Sequence, residues 1–135
     1  MKYLAIIAGI LLGLMFLMAS GLFFLDAFGI YHMKDVPVPP EGSPAALFMG
    51  AFGPTGYMFF VKVLELLGAI LIAIPRTRRA GLLVLGPIII NILAFHAFVT
   101  KGEGLANPML ILIVALTLFL VWVERRSFAA FLRGV

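Results

Sequence analysis

The chain has 135 residues, of which 64% are hydrophobic and 12% charged, with ten Lys and Arg against six Asp and Glu, no cysteine and a mean hydropathy of +1.19. Soluble domains run at about 45–50% apolar and about 25% charged residues, so this composition excludes an ordinary soluble fold, and disorder with it. The lack of any thiol excludes disulfides, thiolate metal sites and dithiol redox chemistry.

Tyr3–Leu25 is an uncharged apolar run ending at Asp26. About 20 apolar residues cross a hydrocarbon core about 30 Å thick, so the run predicts a membrane-spanning helix. Lys2 in front and Ala19-Ser20-Gly21 behind also fit a signal peptide, but the stretch is longer than an h-region of about 7–15 residues, and it is read as a retained helix. Ala5, Gly9 and Gly13 repeat every fourth residue and make a small-residue face for close helix contact, within the bundle or in a homodimer.

Val36–Pro44 reads VPVPPEGSP and predicts an extended, polyproline-like outer loop. Ala45–Phe52 is apolar but too short to cross, and Gly53-Pro54 stops it; it predicts an interfacial or re-entrant helix over the outer mouth. Tyr57–Ile74 is a second span, interrupted by Lys62 and Glu65. Ala80–Val99 is a third, carrying Pro87, Asn91 and His96. Leu105–Val123 is a fourth, with Asn107 as cap and Pro108 at the first helical position. In the tail, 124–135, Phe128, Phe131, Leu132 and Val135 recur at helical spacing beside Arg125, Arg126 and Arg133, as in a helix lying in the membrane interface. The expected architecture is all-α: one polytopic membrane domain over 1–135, a four-helix bundle.

Charge sets the expected orientation. If four helices alternate, Lys2, Arg76, Arg78, Arg79, Arg125, Arg126 and Arg133 share one side, and only Lys34 and Lys101 lie on the other. The positive-inside rule then places both termini in the cytoplasm, in a multi-pass protein of the cytoplasmic (inner) membrane. The basic excess is a topology signal and not a nucleic-acid surface.

Ionisable groups inside spans cost about 2.5–3.5 kcal/mol each at the bilayer centre and mark functional sites by default. At 1.5 Å per residue, Lys62 lies about 7 Å and Glu65 about 12 Å below the outer surface, with His96 at about 4–5 Å and Asn91 at about 12 Å. Lys62 and Glu65 share a helix face and pair. The functional reading is an outward-facing polar pocket in which Lys62, Glu65, Asn91 and His96 contact a ligand, with Asp26, Tyr57 and Thr117 in support. The other reading is an ion pair that only fixes helix packing. On a regular helix Asn91 and His96 are about 140° apart, which opposes a tight cluster. Bis-histidine haem ligation by His32 and His96 has no further support in the sequence. A metal site from His96, Glu65 and Asp26 has none either, and the lone span serine, Ser20, offers little for nucleophilic catalysis.

Over nearly its whole length the chain resembles the DoxX family of small four-helix membrane proteins. The resemblance rests on VPVPP in the first outer loop, FMGAFGPTGYMFFVKVLELLGAIL through the second span and RRAGLLVLGPIIINILAFHAFV through the third. Lys62, Glu65 and Gly68 match a K-x-x-E-x-x-G pattern; Pro87, Asn91, Ile92, Phe95 and His96 match P-x-x-x-N-I-x-x-F-H. The family takes its name from a membrane subunit linked to thiosulfate oxidation and quinone reduction. The resemblance therefore implies a quinone as ligand and a role as accessory to a membrane or periplasmic oxidoreductase, rather than an enzyme on its own. Without cysteine, no thiol relay of electrons is available here. The alternatives from the residues are a small-solute or ion carrier, which the apolar inner half opposes, and a purely structural assembly partner of an oxidoreductase.

Overall fold

The computed structural model describes residues 2–31, 38–102 and 104–134. Among these, all regular structure is helical and no strand occurs. Helix α1 runs Lys2–Ala27, α2 Pro44–Phe52, α3 Tyr57–Ala73, α4 Arg78–Ala94, α5 Pro108–Val123 and α6 Arg125–Leu132. A short 3₁₀ turn, Pro75–Thr77, joins α3 to α4, and a π turn, Phe95–Val99, extends α4.

Two helices are long and apolar enough to cross a membrane: α1, with 26 residues, and the continuous Pro75–Val99 segment, with 25. The others qualify only in pairs. Helices α2 and α3 bend by 81° at their junction and α5 and α6 by 68°, so the number of spans rises to four if each bent pair counts as one. Both bends follow from local chemistry. Gly56, at φ 83° in the left-handed region, precedes α3. Glu124, the residue between α5 and α6, leaves helical geometry with φ −95° and ψ 11°.

Several ends form as their residues dictate. Ser43 accepts a hydrogen bond from Ala46 N–H and caps α2 ahead of Pro44. Asn107 accepts from Met109 N–H at 2.9 Å ahead of Pro108. Helix α4 continues through Pro87, but its last turn departs from the regular helix expected to Val99: Thr100 N–H reaches Phe95 O at 3.1 Å, the i→i+5 pattern of a π turn.

The core consists of Ala5, Ala8, Leu12 and Phe16 from α1, Ala69 and Ile72 from α3, Leu82, Leu85, Ile88 and Ile89 from α4, and Leu120 from α5. Helix α1 lies antiparallel to α3, with Gly9 at Ile72, Gly13 at Ala69 and Phe24 at Phe59. The approach is so close that a Cβ on Gly9 would lie 2.7 Å from Ile72 O, and one on Gly13 would lie 2.7 Å from Ala69 O. The same closeness recurs between α3 and α4, where Gly81 meets the Ile72 backbone and Gly68 meets Leu85. The Ala5, Gly9, Gly13 face is therefore consumed inside the chain. It is not free for the homodimer considered from sequence, because α3 already occupies it.

On the opposite stripe of α1, Leu4, Ile7, Leu11, Leu14 and Met18 are exposed, as are Ile70, Leu83, Ile90, Ile111 and Leu118 elsewhere. A continuous apolar exterior of this kind suits a lipid bilayer.

Candidate ligand-binding site

The Lys62–Glu65 pair forms as its spacing requires. Lys62 Nζ lies 3.0 Å from Glu65 Oε2, one turn along α3. Glu65 is only 4% exposed, because the neighbouring Gly68 and Ala69 draw this face of α3 against α4 and α1. Lys62 is the more accessible member, and its ammonium stands 5.9 Å from the centroid of Phe23 on α1. The carboxylate is thus the more deeply buried member and the ammonium the more accessible one.

Asn91 and His96 do not join this pair by any hydrogen bond among the described residues. Asn91 is exposed, and its Nδ2 donates to Pro87 O of its own helix at 3.0 Å. His96 is half-buried, with Nδ1 2.8 Å from Ile92 O. Both satisfy themselves on the preceding helical turn. The backbone from Asn91 to Phe95 stays α-helical, with Phe95 N–H bonded to Asn91 O, so the two side chains diverge around the helix as the spacing predicts. Thr117 is buried and donates to Ile113 O at 2.7 Å, so its hydroxyl is already engaged. Asp26 is half-buried near the end of α1. Tyr57 is exposed, with its ring 4.5 Å from Phe52 and 6.4 Å from Phe60. His32 and Lys34 lie outside the described residues, as do residues 36 and 37 of the expected extended loop and the tail residue 135. The rest of that loop does not stay extended, since Ser43 N–H bonds back to Pro40 O at 3.0 Å, Gly42 has φ 79° and Pro44 already opens α2. No group of three or more His, Asp or Glu able to hold a metal occurs among the described residues.

Two features escaped the sequence. The first is aromatic: Phe48 packs 4.1 Å from Phe52 and 4.7 Å from Phe95, which stands 5.4 Å from the His96 ring, while Phe24, Phe28 and Phe59 form a second group around the α1–α3 contact. Helix α2 therefore seats on the π turn through rings, a contact between residues far apart in sequence. The second is a charged cluster at the other end of the helices. Arg78, only 7% exposed, places Nη1 3.3 Å from Glu124 Oε1, and Arg79 places Nε 2.8 Å from Glu124 Oε2. Arg78 Nε is buried beside Gly9 without a partner among the described residues. Two arginines in the first turn of α4 oppose the helix dipole; Glu124, at the α5–α6 junction, offsets them. Counted only as topology charges, they gave no sign of this bridge, because Glu124 is 46 residues from Arg78.

Two grooves are lined almost wholly by apolar side chains. One, of about 220 Å³, lies between α1 and α3 over Gly13 and Ala69. The other, of about 330 Å³, lies between α4 and α5 and includes Leu93 and Leu105.

Among known proteins, no family model and no solved structure matches the chain. Over 77 residues it is 31% identical to the uncharacterized protein YwoB of Bacillus subtilis (strain 168), a stretch that covers 57% of this chain and 48% of that one. The chain spans about half the length of this curated relative. The similarity brings no activity with it, and the chemistry must come from the side chains.

Proposed function

We propose that the chain is a DoxX-like multi-pass protein of the cytoplasmic membrane, a four-helix bundle with both termini cytoplasmic. Its outward-facing polar pocket holds a small amphipathic molecule such as a quinone, as an accessory to a separate membrane or periplasmic oxidoreductase. The observation that carries this reading is the Lys62–Glu65 pair, set in a helix otherwise built from apolar residues.

A pair that only fixed packing would tie two helices together, as Arg78 and Glu124 do across 46 residues. Lys62 and Glu65 both sit on α3 and span one turn, so their ionic bond contributes no register between helices. A bound ligand gives the charges a use. Glu65 holds the ammonium in place, and the remaining N–H groups of Lys62 donate to a polar head. Phe23 beside Lys62, with Phe24 against Phe23 and Phe59 against Phe24, provides a surface for a planar ring. Asn91 and His96 complete the proposed contacts at the same end, with Asp26, Tyr57 and Thr117 in support.

The test is purification in mild detergent followed by mass spectrometry of co-purifying small molecules, on wild type and on a Lys62→Met/Glu65→Leu double variant. Replacing a buried pair by apolar residues of similar size is often neutral for stability, so the double variant separates folding from binding. The expected result is a near-stoichiometric amphiphile in wild type that is absent from a folded double variant. An empty wild type, or equal retention by both, would refute the reading.

A further inference from the structure

We propose that α6 is a docking element for anionic phospholipid, lying along the bilayer surface with its apolar face in the acyl chains and its arginines on lipid phosphates. Lipid docking at α6 needs only that the bundle sits in a bilayer, and it is independent of any ligand at Lys62.

One contact fixes how α6 is rotated. Phe128 is half-buried and packs against the core of the bundle. Phe131 and Leu132 follow it by three and four residues and so share its face, yet they stand 66% and 83% exposed. The apolar face of α6 therefore begins on the protein and continues beyond it. Arg126 and Arg133, seven residues apart, share the other side of the helix, and both are exposed. A helix divided in this way suits an interface, with one face in the acyl boundary and the other among head groups.

The course of α6 is built in. The helix turns 68° from α5, which carries it along a membrane surface and not onward into water. Glu124, at the bend, receives Arg78 Nη1 at 3.3 Å and Arg79 Nε at 2.8 Å from α4. The protein thus holds the start of α6 without help from lipid. Trp122 marks the depth. Its ring is exposed, the Arg125 guanidinium stands 4.3 Å from the ring centroid, and Arg125 Nη1 donates to Trp122 O at 2.7 Å. An indole beneath a cation suits the head-group level, where one side is apolar and the other wet.

Charge selects the lipid. Glu124 is the sole carboxylate in 124–135, and Arg78 and Arg79 occupy it. Arg126 and Arg133 form no ion pair among the described residues, and neither does Arg76 in the turn before α4. Free guanidinium groups bind phosphate oxygens in bidentate fashion. The bilayer around the bundle already lies beside Phe131 and Leu132, so lipid and not a second protein is their occupant.

Trp122 is the single tryptophan of the chain and reports on lipid at the start of α6. The full-length protein would be reconstituted in phosphatidylcholine vesicles carrying equal fractions of brominated phosphatidylglycerol or brominated phosphatidylcholine, with Trp122 quenching as the readout. The expected result at low salt is a preference of about five- to tenfold for the anionic lipid, as one or two cations at the surface confer. In Arg126→Gln/Arg133→Gln it should fall to about twofold or less. In the same vesicles, a nitroxide on Leu132→Cys should be reached by oxygen and shielded from an aqueous nickel chelate, and one on Ala129→Cys should show the reverse. Equal quenching by the two lipids, or a preference unchanged in the double variant, overturns the inference. So does a Leu132 label no better shielded from nickel than the Ala129 label, which would leave this face open to a protein partner. The lipid preference and the label depths are read on chains that keep both arginines, so they stand even if the double variant fails to fold.

Discussion

At the scale of single residues, the closest constraints fall on glycines and on one ion pair. A methyl group on Gly9 would meet the Ile72 carbonyl oxygen at 2.7 Å, and that oxygen belongs to backbone that cannot rotate away. Gly9→Ala should therefore lower stability by about 1–3 kcal/mol, the range for overpacking. Gly86, in α4 with nothing within 4 Å of its would-be Cβ, should gain up to about 1 kcal/mol on the same substitution through helix propensity. Unfolding of the two variants in detergent checks the contrast; equal effects would mean that the α1–α3 contact is looser than it stands here. Glu65→Leu alone strands the Lys62 ammonium and should cost about 3 kcal/mol, the lower end for breaking a buried pair, since Lys62 keeps some access. Adding Lys62→Met should recover most of that loss. The same unfolding assay measures the recovery, and a double variant as unstable as the single would show that the charges, and not their mismatch, hold α3 in place.

At the scale of elements, much of the helix pattern was legible and the interruptions were not. Asn107-Pro108 announced the start of α5, and Ser43, unremarked in the sequence, caps the short helix expected after the proline-rich loop. These signals are local: an oxygen, a free N–H and a fixed φ lie within a few residues of one another. The π turn at Phe95–Val99 had no such signal, and neither did the seating of α2 on it through Phe48 and Phe95. The same holds for Glu124. As one acidic residue among basic neighbours it carried no obvious role, yet it receives both Arg78 and Arg79 across the α4 to α5–α6 boundary. Glu124→Gln should cost about 3 kcal/mol, because Arg78 is buried and loses its counter-charge. Arg79→Gln should cost under about 1 kcal/mol, since Arg79 is 66% exposed along its side chain and solvent screens it. Comparison of unfolding midpoints for the two variants decides the point, and a reversed order would reject it.

At the scale of the whole molecule, the apolar exterior and the two crossing-length helices suit a bilayer, and the proposed orientation has a direct test. The chain has no cysteine, so a single introduced thiol reports without background. Ala106→Cys, in the exposed loop before α5, should react with a membrane-impermeant maleimide in intact cells. Gly134→Cys, beyond α6, should react only after permeabilisation. The opposite pattern would invert the topology, and labelling of both from one side would break the assumption that α2–α3 or α5–α6 completes a span.

The sequence by itself determined that the chain is helical and apolar enough for a bilayer, and that Lys62 faces Glu65. All of these follow from composition and from interactions one turn long, for which helical periodicity is sufficient. Tertiary structure alone decided that the small-residue face of α1 is closed by α3, that Glu124 anchors two arginines, and that Asn91 and His96 bond to their own helix rather than to Lys62 and Glu65. Those outcomes depend on how closely backbones approach and on which lone pairs remain after nearby bonds have formed. Spacing along a chain specifies which side chains share a face, but the partner opposite that face is set only when the helices pack.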